Sequence, residues 1–272
     1  MTTVTAPARP ATVRVRPPRH AVGDAITMAW RNLLNIKRNP QLLVFATIQP
    51  VIFVVMFRYV FGGAIQGSLP PGQTYVNFLM PGIFVQTIVF GALTTGVGLA
   101  DDLSKGLIDR FRSLPMARSA VLVGRTLADF VRNFFVVILM CVVGFIVGWS
   151  IGTNVWGLLG CIGIILAFSY SLSWVFAIVG LSVKDAETAQ AVSFPILAPL
   201  VFASSAFVPV ATMPSWLQGW AKNQPVSVVV NAARALTIGG PTSEYVIKAL
   251  IWIVGIIAVC APIAVARYRK AV

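Results

Sequence analysis

Charge is scarce in this sequence. Of its 272 residues only 11 % are charged and eight are acidic, against about 25 % charged in an ordinary soluble domain. None of the acids stands well inside an apolar run, so no carboxylate pair is available for acid–base chemistry. Histidine occurs once, as His20 near the N-terminus. The three cysteines, Cys141, Cys161 and Cys260, lie in apolar runs without a C-x-x-C pair, which supports neither a zinc site nor a disulfide framework. The phosphate-binding spacing G-x-x-x-x-G-K-[ST] is missing as well, and with it the usual loop for cradling a nucleotide. The expectation is a chain that is no enzyme, with no catalytic, cofactor-binding or metal-binding residues of its own.

Apolar residues are abundant instead, at 57 %. Six runs, at about 41–62, 76–99, 128–148, 156–181, 188–208 and 246–266, approach or exceed the ~20 residues needed to cross ~30 Å of hydrocarbon. Segments such as "NFFVVILMCVVGFIVGW" are apolar on all sides. They lack the ten-residue alternation of barrel strands, so they read as helices, whose backbone polar groups are satisfied internally. The expected fold is an all-α, polytopic membrane protein with six transmembrane helices.

The net charge of +13 follows topology. Sixteen of the 21 basic residues fall before the first run, after the second run, between the fourth and fifth runs, or at the C-terminus, whereas Lys222 and Arg234 alone belong to the opposite segments. By the positive-inside rule both termini are cytoplasmic; nucleic acid is not an expected partner. Residues 1–20, rich in Pro and Arg with no apolar stretch, read as a disordered basic tail without a cleavable signal, and residues 21–272 as one transmembrane domain.

Within "AVGDAITMAWRNLLNIKRNP", Val22, Ile26, Ala29, Trp30, Leu33 and Leu34 share a face opposite Thr27, Arg31, Asn35 and Arg38, the pattern of an amphipathic helix at the interface. The segment "DDLSKGLIDRFRSLPMAR", residues 101–118, carries seven charges between two apolar runs. Asp101 or Asp102 is placed to cap a helix whose stripe is Leu103, Leu107, Phe111 and Leu114 and which Pro115 stops. Such a helix either docks into a partner's groove or packs on its own spans. Residues 209–245 are too long for a turn; Trp216, Leu217 and Trp220 fall on one side of a short helix, and Val226–Leu236 form a second apolar piece too short to cross. Two dips into the outer leaflet, bounded by Pro214, Pro225 and Pro241, fit this composition.

The groups an ion-driven carrier needs near the midplane are poorly represented. Arg58 can snorkel outward, and Asp129 and Arg132 stand one turn apart at the inner end of the third run. No charge is expected to line the spans. Gly144 and Gly148, and Gly157, Gly160 and Gly163, have spacings compatible with self-association.

The amphipathic N-terminal helix, "GLIDRFRSLPMARS", "MPSWLQGWAKNQPVSVVVNAARAL" and the six spans together resemble the membrane subunit of type-2 ATP-binding-cassette exporters, in particular the daunorubicin-resistance kind. The resemblance covers the chain from about residue 22. It implies that residues 101–118 couple to a separate cytoplasmic ATPase through Asp101, Gly106, Leu107, Arg110, Phe111, Arg112, Leu114, Pro115, Met116 and Arg118. It also implies an interface helix with Trp30, Arg31, Leu33, Leu34 and Arg38, and an outer gate with Pro214, Trp216, Leu217, Trp220, Asn223, Pro225 and Arg234. A pathway between spans two and five would involve Phe84, Gln86, Thr87, Phe90, Thr94, Phe194, Pro195, Pro199 and Phe202. Implied partners are two ATPase copies that bind the ATP and Mg, a second permease, identical or paralogous, the bilayer and a hydrophobic or amphipathic substrate such as a drug, lipid or glycolipid. The implied location is a bacterial cytoplasmic membrane. The residues alone leave an ATP-independent carrier or channel, or a membrane scaffold, as alternatives.

Overall fold

The computed structural model describes residues 40–106 and 118–271, together with Gly23, residues 26–31 and Leu34. Every regular element among them is helical. Helix α1 covers Pro40–Met56 and passes through a π-helical turn, Phe57–Phe61, into α2, Gly62–Gln66. The chain continues as α3 (Tyr75–Ser104), α4 (Arg118–Val147), α5 (Val155–Gly180), α6 (Ala186–Phe202), α7 (Ser215–Asn223), α8 (Pro225–Thr237) and α9 (Thr242–Ala271).

Among the described residues, five helical stretches are long and apolar enough to cross a membrane: Ala46–Gln66, α3, Leu122–Val147, α5 and Thr242–Tyr268. The sixth run behaves differently. Helix α6 has 17 residues, about 26 Å at 1.5 Å each, and the expected span 188–208 divides into this helix and a folded turn. The cause is local polar competition. Ser204 Oγ donates to the Val201 carbonyl and accepts from the Ala206 amide, while the Ser205 amide donates to Ser227 Oγ.

Helices α3 and α5 form the buried centre, and the first and last spans stand outside them. Their backbones touch: a Cβ at Gly96 would lie 2.5 Å from the Phe176 carbonyl oxygen, and one at Gly180 would collide with the Gly96 carbonyl. Gly157 and Gly160 of α5 receive Leu236 of α8, and Gly144 lies against Met80 and Trp149. Gly144, Gly157 and Gly160 thus serve contacts within the chain, whereas a Cβ at Gly163 would meet nothing within 4 Å.

Residues 67–74, 148–154 and 203–241 gather at one end, tied by Asn77 to Ser150, by Thr153 to the Leu236 carbonyl and by the Tyr75 hydroxyl to the Phe207 carbonyl. Residues 101–106, 181–185 and the end of α9 gather at the opposite one, tied by Asp102 to Arg125 and by Arg267 to Ser182. The first is called the far end and the second the near end. Residues 26–31 are helical and lie at the near end, where Met28 packs with Leu99, Leu122, Trp174, Ala264 and Tyr268. Here the expected apolar face needs correction. Met28 and Ala29 are buried, Ile26 and Trp30 point away from the protein, Arg31 is exposed and Leu34 half-buried. A helix between protein and hydrocarbon has two apolar sides to satisfy. Leu33 and Arg38 lie outside the described residues.

Candidate functional site

A cavity of about 700 Å³ is bounded by α3 on one wall and by α1, α4 and α6 around it. On α3 its lining runs from Asp101 to Gln86, about 22 Å of helix. Ala46, Gln49 and Pro50 contribute from α1, Arg125, Asp129, Arg132 and Asn133 from α4, and Ala186, Gln190 and Phe194 from α6. Exposure grades along it: Ala46, Gln49, Thr94 and Gln190 are open, whereas Gln86 and Thr87 are buried. The cavity thus reaches the near end at Asp101 and Arg125, is open beside Phe194 on α6 as well, and closes at Gln86 and Thr87.

An aromatic stack stands beyond the blind end. Phe53 of α1 approaches Phe202 and Phe207 with ring centroids 6.4 and 6.1 Å apart, and Phe57 stacks on Phe207 at 4.5 Å with 10° between planes. The π-helical turn begins at Phe57 and brings it onto Phe207. The rings bridge the first span to the end of α6 and bury apolar area where a passage would continue.

The wall is more polar than the sequence reading allowed. Arg132 lies 3.2 Å from Asp129, and it donates to Thr94 Oγ1 at 2.5 Å and to the Gly91 carbonyl at 2.8 Å. Asp129 also accepts from Thr95 Oγ1 at 2.5 Å, and Asn133 donates to Ser169 Oγ at 2.5 Å. The expectation that no charge lines the spans is overturned, because α4 begins at Arg118 rather than near 128. Asp129 and Arg132 consequently sit three turns inside the helix. Self-compensation makes this depth tolerable, since each buried charge has a partner.

The near end carries two further ion pairs. Lys105 donates to Asp101 at 2.7 Å, and this hydrogen bond raises the Lys105 pKa. Arg125 pairs with Asp102 and donates to the Gly98 carbonyl at 2.8 Å, bracing the foot of α3 against α4. Asp101 and Asp102 were expected to cap a new helix; instead they occupy the last turn of α3, with Leu103 packed on the near-end core. Nothing between Ala100 and Lys105 breaks the helix, and Gly106 ends it with φ +65°, the left-handed conformation that favours glycine. Leu107, Arg110, Phe111, Arg112, Leu114, Pro115 and Met116 lie outside the described residues, and Arg118 opens α4 without a described side chain.

At the far end α7 and α8 occupy the two short apolar pieces expected there. Pro214 precedes α7, Trp216 and Trp220 are exposed, Leu217 is half-buried, Asn223 donates to the Gly219 carbonyl at 2.9 Å and Pro225 opens α8. Arg234 is buried. Its guanidinium lies 3.5 Å from the Phe78 ring and donates to the carbonyls of Phe78 (2.9 Å), Ser205 (2.6 Å) and Ala206 (3.0 Å). A single side chain thereby fastens α8 to α3 and to the turn after α6. Arg58 reaches the far-end turn beside Gly148, its guanidinium 5.2 Å from the Tyr59 ring and its Nη1 buried with no hydrogen-bond partner among the described residues.

The sequence pattern of the family described as ABC-2 type transporter matches residues 24–238. The chain belongs to that family. It is 34 % identical over 250 residues to the daunorubicin resistance ABC transporter permease protein DrrB1 of Streptomyces coeruleorubidus, covering 92 % of this chain and 87 % of the relative. It is 26 % identical over 251 residues to the probable doxorubicin resistance ABC transporter permease protein DrrC of Mycobacterium tuberculosis, covering 92 % and 90 %. A putative transport permease, ycf38, of Porphyra purpurea is 27 % identical over 212 residues, covering 76 % of this chain and 71 % of the relative. The family resemblance read from the sequence is thus correct. As an ABC-2 permease the chain is a multi-pass transport subunit, of a kind that works with an ATPase partner and as a permease pair.

Of the residues expected along an ABC-2 pathway, Gln86, Thr87, Phe90, Thr94 and Phe194 line the cavity together. Four others do not. Phe84 packs edge-on against Trp149 at 5.2 Å, Phe202 belongs to the aromatic stack, and Pro195 and Pro199 are exposed on α6 away from the lining. Gln49, Gln190 and Asn133 were missed. Amides within or beside apolar runs were the available signal, because such groups seldom enter a bilayer without a use.

Proposed function

We propose that this chain is the transmembrane subunit of an ATP-driven exporter that moves a hydrophobic or amphipathic compound out of the cytoplasm or inner leaflet. Two copies of a separate cytoplasmic ATPase supply the energy, bind the ATP and Mg, and grip the segment around residues 101–118. The observation that carries this reading is the cavity between α1, α3, α4 and α6, which reaches the near end at Asp101 and closes at Gln86. The positive-inside bias supports a cytoplasmic near end, with both termini inside. The drug-resistance names of two relatives support the cargo class.

The working parts follow from the contacts. Force applied between Gly106 and Arg118 reaches α3 and α4 through the Asp102–Arg125 brace, and both helices line the cavity. Tilting them narrows the near-end entrance while it draws the first span away from Phe207. A second permease and the bilayer complete the walls.

Inside-out proteoliposomes that contain this chain and its partner ATPase test the proposal. ATP should drive uptake of a fluorescent amphiphile, and a nonhydrolysable analogue should not. Equal uptake by the permease alone, without nucleotide, would establish an ATP-independent carrier instead.

A further inference from the structure

Arg58 is a cation in a membrane span without a counter-charge. Others in the spans are matched: Arg125 by Asp102, Arg132 by Asp129 and Lys248 by Glu244, while Arg234 is held by carbonyls. Arg58 is half-buried, and among the described residues none of its nitrogens has a hydrogen-bond or ion-pair partner. Nη1 alone is enclosed; Nη2 and Nε keep access to the surface. A charge kept in a span without a partner is costly and marks a position with a use.

The guanidinium is seated. It lies 5.2 Å from the Tyr59 ring, and a Cβ at Gly148 would come within 3.4 Å of Nη1 and 3.7 Å of Nη2. Gly148 has φ +93° and follows the last residue of α4, whose final carbonyls form the negative end of the helix dipole. That end draws the cation to this spot, yet no carbonyl there accepts from it. From Pro40 to Arg58 the helix runs about 27 Å at 1.5 Å per residue. This approaches the ~30 Å of hydrocarbon and puts the guanidinium at headgroup depth on the far side.

The far end has no anion of its own to offer. Residues 57–74, 148–154 and 203–241 contain neither Asp nor Glu, and Glu244, in the first turn of α9, is taken by Lys248 at 2.6 Å. The surface beside Arg58 is apolar and open: Tyr59 and Val60 are each 69 % exposed, and Ile146, two residues before Gly148, is 79 % exposed. A fixed cation at headgroup depth above a lipid-facing apolar surface matches a molecule with a phosphate at one end and hydrocarbon at the other. A zwitterionic lipid carries its own cation beside the phosphate, so charge complementarity favours an anionic one.

We propose that Arg58 binds the phosphate of an anionic phospholipid in the far leaflet, with the lipid's acyl chains along Tyr59, Val60 and Ile146. Nη2 and Nε donate to two phosphate oxygens, the bidentate geometry that a guanidinium allows. The site lies apart from the cavity, and it stands whether or not the chain exports.

The test reads lipid identity at that spot. A bimane fluorophore is attached to Val60→Cys in the full-length chain with its native cysteines replaced. The purified protein is reconstituted in phosphatidylcholine vesicles with rising fractions of doxyl-labelled phosphatidylglycerol or doxyl-labelled phosphatidylcholine. Quenching should show phosphatidylglycerol favoured about tenfold, the value of one charge-assisted hydrogen bond. A bimane on Ile251→Cys, exposed on α9, should favour neither lipid by more than about twofold. Arg58→Gln should bring the ratio at Val60 below about twofold, and Arg58→Lys, which keeps the charge and loses the fork, should retain a smaller preference. The ratio measured with Arg58 in place depends on no change at that residue. Equal quenching by the two lipids, a preference that survives Arg58→Gln, or the same preference at Ile251 would each overturn the proposal. So would its loss when sodium phosphate replaces sodium chloride at equal ionic strength, which would make the occupant a free phosphate.

Discussion

The near and far ends of the bundle are held together by opposite means. At the near end carboxylates meet cations, at Asp101–Lys105 and Asp102–Arg125, around an open mouth. At the far end a buried guanidinium meets only carbonyl oxygens and a ring, beside stacked phenylalanines. Ion pairs at a partly solvated surface are individually weak and exchange partners easily. A buried donor group held by three backbone carbonyls does not. The near end is thus chemically suited to be handled and the far end to stay shut until driven.

The largest expected effect is at Arg234. Arg234→Met removes the guanidinium donor from the carbonyls of Phe78, Ser205 and Ala206 and should lower stability by about 3–5 kcal/mol; a midpoint in detergent within a degree of the unaltered chain would mean that the far end is not latched there. Phe207→Ala comes next, at about 3 kcal/mol for a buried aromatic. It should also let an impermeant thiol reagent reach Thr87→Cys from the far side, in a chain whose native cysteines are replaced. In the parent background that cysteine should react from the near side alone, and labelling from both sides there would dissolve the contrast between the ends.

The third effect concerns the brace. Asp102→Asn should weaken the α3–α4 junction by about 1–2 kcal/mol and reduce ATP-driven transport more than ligand binding. Asp102→Arg combined with Arg125→Asp should recover part of that loss; single and double variants with the same deficit would show that the pair does not couple. The smallest effect is at Asp185, which caps α6 by accepting from the Thr188 amide at 2.7 Å, a bond that lowers its pKa. Because the folded pKa is the lower one, this contribution is complete above the ordinary aspartate range near 3.9 and fades as pH falls through the depressed value. Asp185→Asn keeps a cap and should remove that part of the acid sensitivity, as read from melts between pH 3 and 6.

What was legible in the sequence was whatever hydrocarbon dictates directly. Runs of ~20 apolar residues located the spans, and α5 differs from its expected range by one residue at each end. Polar segments were harder, because a helix does not end where the membrane does. Asp101 and Asp102 looked like the start of an element and proved to be the last turn of one; the informative residue was Gly106. Asp129 and Arg132 looked peripheral because the turns before them, "RSAVLVGRTLA", are only moderately apolar. The cavity was legible in part. Glutamine and threonine in the second run marked one wall, but a volume enclosed by four helices depends on their arrangement, which no local pattern contains.

The π-helical turn at Phe57–Phe61 sets how the first span meets that arrangement. A π-turn closes its hydrogen bond over one residue more than an α-turn does, and each α-helical residue advances the angular phase by about 100°. Relaxing the turn by one residue would therefore swing Phe53 and Phe57 around the helix axis relative to Gly62 and α2, without moving the axis. The first span carries, in its own winding, a rotation large enough to pull an aromatic face out of register.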